Sequence, residues 1–164
     1  MSTRLLLAAA AALTITMSAA HSATVFTATL DGSQSGTPSP GTGSGTFILD
    51  DSETSLSYTI TFSGLLAPET VSHFHRGAPG VSGPVVKNLP LGSPKVGVWS
   101  AFDATQPLTP QAVADLKAGL LYINVHSSLY PAGEIRGQIV PEPSALLVLA
   151  GGGAGLLGAL RRRA

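Results

Sequence analysis

The chain has 164 residues, nine Lys and Arg against nine Asp and Glu, 44% hydrophobic and 11% charged residues, and no cysteine. The missing thiols exclude disulfides and cysteine chemistry, so stability must come from a core or a bound metal. Overall neutrality conceals an acidic middle, with five Lys and Arg against eight Asp and Glu over residues 24–140, a balance that argues against nucleic acid as a partner.

At the N-terminus Arg4 precedes an apolar run over residues 5–17, and Ser18, Ala19 and Ala20 are the small residues that signal peptidase accepts. Residues 1–20 are therefore expected to be a signal peptide, with cleavage before His21 or as late as after Ala23; His21 is not a candidate for function. Residues 24–140 are one domain's worth of chain. Within them Leu56, Tyr58, Ile60 and Phe62 alternate with Ser55, Ser57, Thr59 and Thr61, the period of a half-buried strand. Residues 25–30, 45–49, 71–75, 95–102, 120–127 and 134–140 predict further strands, separated by Gly, Pro and Ser clusters. Segment 31–43 is expected to be a loop. The stretch 41–45 reads as a flexible turn before a strand, not as a phosphate-binding loop, and Asp50-Asp51 as a solvated turn.

One short helix is predicted, from Thr109 as N-cap through Pro110 to Gly119 as C-cap, with Ala112, Val113 and Leu116 facing inward. Trp99 and Phe102 are expected to pack in the core or at an edge. The whole series predicts an all-β fold, an antiparallel Greek-key sandwich or barrel with that helix.

After Val140 come Pro141-Glu142-Pro143, an apolar run over 144–160, and Arg161-Arg162-Arg163. Seventeen residues at about 1.5 Å of rise reach roughly 25 Å, near the short limit for crossing a bilayer core. Arginines at the far end favour the cytoplasmic side, leaving everything before Pro141 outside. Residues 141–164 thus form a sorting or anchor segment. This ending resembles the PEP-CTERM sorting signal of Gram-negative bacteria. The resemblance implies an exosortase-type processing enzyme, transient anchoring in the inner membrane, and a final place at the cell surface or outside the cell with exopolysaccharide. An unprocessed tail anchor fits the hydropathy equally well.

Side chains alternate across a strand, so His73 and His75 share a face. Leu121, Ile123 and Val125 form the apolar side of their strand and leave Tyr122, Asn124 and His126 opposite. Ile135 and Ile139 leave Glu134, Arg136 and Gln138 opposite. If these strands are neighbours, three imidazoles and a guanidinium converge on the outer wall. Three neutral imidazoles suit copper or zinc. For Glu134 and Arg136 the simplest expectation is an ion pair that helps fix register.

The segments Phe26-Thr27-Ala28-Thr29-Leu30, Ser63-Gly64-Leu65, His73-Phe74-His75-Arg76-Gly77, Leu108-Thr109, Tyr122-Ile123-Asn124-Val125-His126 and Gly133-Glu134-Ile135-Arg136-Gly137-Gln138-Ile139 together resemble a CHRD domain, the module first named in chordin. The histidine motifs also resemble copper-zinc superoxide dismutase. In that family a Gly-Leu segment leads into a His-x-His copper pair, a Val-His sequence adds another ligand, and a late arginine guides the anion. That resemblance implies His73, His75 and His126 as copper ligands and Arg136 as the anion guide. The chain departs from it in having no histidine between His75 and His126, and so no bridging ligand, no zinc cluster and no structural disulfide.

No Gly-x-Ser-x-Gly elbow is present, and no carboxylate pair points to a glycosidase. Two functions follow. One is a non-catalytic surface or matrix module that binds polysaccharide or another surface protein. The other is a copper-binding envelope protein with superoxide-directed redox activity.

Overall fold

The computed structural model describes residues 23–142. The expected signal peptide, His21, and the apolar run 144–160 with its arginines lie outside the described residues. No helix among the described residues is long and apolar enough to cross a membrane.

The chain forms β1 (Thr24–Asp31), α1 (Gly32–Ser35), β2 (Thr42–Leu49), β3 (Ser55–Ser63), β4 (Glu69–Arg76), β5 (Val85–Leu89), β6 (Lys95–Ser100), α2 (Pro110–Lys117), β7 (Leu121–Ser127), β8 (Ile135–Gln138) and β9 (Val140–Pro141). All strand pairs are antiparallel, and one sheet runs in the order β5-β4-β7-β8-β1-β2-β3-β6, with β9 also pairing β1. β3 therefore lies beside β6 while β4 pairs β5, the return of a Greek key. The sheet curls into a nearly closed barrel whose free edges are β5 and β6. Lys95, at the start of β6, bridges that gap by donating to Glu69 Oε1 on β4 (2.6 Å) and to the Pro90 carbonyl (2.6 Å).

Alternation fills the interior. Phe26, Ala28 and Leu30 from β1, Phe47 and Leu49 from β2, and Leu56, Tyr58 and Ile60 from β3 are all buried, at the period of two the sequence carries. Phe74 is the hub of the core. Its ring meets Phe47 and Tyr58 edge-on at 5.9 and 5.5 Å and stacks on Trp99 at 5.6 Å, contacts that add to the area it buries.

Several expectations are corrected. Thr42–Gly45 belong to β2 and are not a free turn, because this segment pairs with β1 and with β3. Segment 31–43 is not all loop: Asp31 accepts from the Gln34 amide and caps the single turn α1, which Gly36 ends at φ 72°. β5 was not expected, since it is a short strand between Pro84 and Pro90. Phe102 is 85% exposed because β6 ends at Ser100, whereas Trp99 is in the core with its indole N–H given to the Gln106 carbonyl. α2 is capped by Thr109 as expected; its C-cap is Ala118, and Gly119 follows at φ 67°.

Candidate metal centre

Because Phe74 is locked into the core, its neighbours His73 and His75 must both turn to the other side of β4. On the adjoining strands the register sets His73 opposite Asn124, which in turn faces Arg136; His75 lies opposite Tyr122, which faces Gln138; and Val71 lies opposite His126. The three strands β4, β7 and β8 thus deliver the expected residues to one patch of wall. That outer wall is largely covered, with His73 half-buried. All seven residues of β7 are buried, Leu121, Ile123 and Val125 in the core and Tyr122, Asn124 and His126 under the segments 77–83 and 128–134.

Those two segments set the chemistry of the imidazoles. His75 Nδ1 lies 2.9 Å from the Gly83 carbonyl and His126 Nδ1 lies 2.8 Å from the Pro131 carbonyl. A carbonyl can only accept, so each Nδ1 carries the proton and each Nε2 keeps its lone pair. His73 Nδ1 sits 3.3 Å from His126 Nε2. One ligand nitrogen from each ring lies within 4.8 Å of the others. His75 Nε2 is buried and has no hydrogen-bond partner.

Burial holds both His73 and His75 below the ordinary imidazole range. For His73 the His126 and His75 rings lower it further. For His75 the Gly83 bond works the other way, and His126 and Arg136 depress it again. Neutral imidazoles are the form that binds metal. An ion bound by three nitrogens would keep at least one position for water or a small ligand. Backbone carbonyls that orient the ligand rings are the usual outer support of such a site.

Arg136 is placed differently from the expectation of an ion pair. Its guanidinium donates to the Val81 and Ala78 carbonyls and to Gln138 Oε1, and it lies 3.4 Å from the centre of the Tyr122 ring. Tyr122 also stacks on His75 at 4.9 Å and accepts at its hydroxyl from the Gly83 amide. Arg136 and Tyr122 therefore pin the 77–83 segment that supplies the Gly83 carbonyl. Glu134 makes no ion pair with Arg136. It is fully buried, with Oε1 accepting from Ser39 Oγ (2.6 Å) and the Leu66 amide (2.5 Å). Burial pushes its carboxyl up, but Ser127, Ser39 and the Leu66 and Ala67 amides outweigh this and hold it low.

Gly83, Pro131 and Tyr122 were not singled out for these roles. Two of them act through backbone carbonyls, for which side-chain type gives no signal. Gly83 does carry a trace: any side chain there would collide with the Arg76 carbonyl.

A family model described as CHRD domain matches residues 26–139. No curated protein matches the chain.

Proposed function

As this chain belongs to the CHRD domain family, we propose that it is an exported surface module that binds one copper or zinc ion through His73 Nδ1, His75 Nε2 and His126 Nε2. The observation that carries this reading is the buried, unpartnered Nε2 of His75, its proton fixed on the far nitrogen by Gly83, within reach of two more imidazole nitrogens. A buried acceptor without a partner is costly, and a cation would satisfy it. Export is supported by Arg4 with the apolar run 5–17 and by Pro141-Glu142-Pro143 ahead of 144–163. An exosortase-type enzyme is the processing partner this implies, with exopolysaccharide or a surface protein as neighbour.

The test is the metal content of the protein purified from the periplasm after export of the full chain, beside His75→Ala and His126→Ala. About one ion per chain is expected, falling at least tenfold in either variant. Equal metal content in all three proteins would sink the reading.

A redox-active copper is the second reading, supported by the place of Arg136 on the Tyr122 ring that stacks on His75. Such an arginine attracts anions by its charge, while its hydrogen bonds to the 77–83 segment hold it in place. Superoxide consumption by the copper-loaded protein, absent from His126→Ala, is its check.

A further inference from the structure

Beside the triad, and lined by none of its histidines, lies a polar cavity of about 300 Å³, at the small end of ligand sites. Ser33, Ser35, Ser82, Tyr122, Asn124 and Arg136 are among the residues around it. Three features of this lining are unmet demands. Arg136 is only 6% exposed, yet it makes no ion pair with a carboxylate among the described residues. Asp31, its register partner across β1 and β8, turns its carboxylate to Ser33 Oγ, the Gln34 amide and Gln34 Nε2. Three of the five guanidinium N–H groups are engaged, which leaves two. Ser35 Oγ is buried without a partner, and so is Asn124 Oδ1, on a side chain only 7% exposed whose amide nitrogen is held by the Ala132 carbonyl.

These demands differ in kind. A buried cation without a counter-charge favours an anion, and the Nε–H and the second Nη1–H of Arg136 remain as separate donors to its oxygens. Asn124 Oδ1 can only accept, so a ligand that reaches it must offer a donor. A hydroxyl group supplies one. The Tyr122 ring already carries His75 and Arg136, so recognition by ring stacking is not on offer and polar contacts must do the work.

We propose that this cavity binds a small hydroxylated carboxylate, its carboxylate on Arg136 and the Ser35 hydroxyl and a hydroxyl on Asn124 Oδ1. The chemistry is common to an acidic sugar unit and to a free 2-hydroxy acid. No metal at the triad is required.

The test is titration calorimetry of the exported, chelator-treated protein with galacturonate, lactate and neutral galactose. Saturable binding of galacturonate or lactate is expected, at least tenfold tighter than galactose. Arg136→Gln should weaken it at least tenfold, but that change also frees the 77–83 segment. Ser82→Phe keeps the test decisive: Ser82 is exposed at the cavity, and the added ring should fill the space and lower affinity tenfold or more with an unchanged thermal midpoint. Galacturonate alone would name the sugar source and lactate alone the free acid. No saturable heat with either, affinity for galactose equal to that for the acids, or full affinity in Ser82→Phe overturns the proposal.

Discussion

The residue between the two histidines decides where they point. Phe74 packs against three aromatic rings in the core, and alternation then gives His73 and His75 no choice of side. That much was legible, because parity is local and needs only the sequence. The tautomers were not legible: the Gly83 and Pro131 carbonyls reach the rings from two segments far apart in the chain, a fact of tertiary folding. One consequence concerns acid. His73 and His75 are held below their ordinary value of 6.5, so on falling pH the unfolded chain takes up protons before the folded one does. Stability of the metal-free protein is therefore fully present above pH 6.5 and is lost as pH falls through the lower, folded values. The lowered carboxyls of Asp31, Glu69 and Glu134 act in the same direction, but in a window below about pH 4.5. Urea midpoints between pH 7.5 and 5 should fall for the native protein and stay flatter for His75→Gln. A native midpoint independent of pH across that range would refute the neutral, buried placement of these rings.

At the scale of elements, legibility followed the range of the signal. α2 could be read because its boundary is written in four consecutive residues: Thr109 Oγ1 accepts from the Ala112 amide at 3.1 Å, and Pro110 sits where no N–H is needed. Replacing Thr109 with alanine strands that amide and should cost about 1 kcal/mol. Gly119 at φ 67° makes a second case, since a Cβ there meets nothing closer than 3.9 Å and any loss in Gly119→Ala is conformational. About 1 kcal/mol is expected, additive with Thr109→Ala if each acts at its own end. Chemical denaturation of both single variants and the double variant checks this, and a loss under a few tenths in either would contradict the cap geometry. β5 and α1 escaped the sequence for the opposite reason. Five residues between two prolines show little period, and their pairing with β4 is what makes them a strand. α1 is one turn in a Gly- and Ser-rich stretch, and its cap is the last residue of β1.

At the scale of the molecule, the antiparallel all-β class, sandwich or barrel, was legible from period and turn spacing, but the residues that hold the barrel's seam were not. The open seam between β5 and β6 is held by residues 26 apart in the chain. Lys95 is 1% exposed, with its ammonium on Glu69 Oε1 and the Pro90 carbonyl and 5.1 Å from the centre of the Phe62 ring. Glu69 also accepts from Ser72 Oγ and from the Gly92 amide. Burial pushes the Glu69 carboxyl up, yet Lys95 and Ser72 more than offset this and keep it ionised. The pair links β4 to β6 past β5, so the carboxylate becomes a buried, uncompensated charge if the lysine is removed. Lys95→Met should therefore destabilise by about 3 to 5 kcal/mol. Adding Glu69→Gln removes the stranded charge and should recover much of that loss, since a buried ion pair contributes less than the penalty of breaking it on one side. Thermal unfolding of the two single variants and the double variant decides the matter. Simple addition of the two losses would mean that Lys95 acts through packing on Phe62 and that the seam is closed by shape alone.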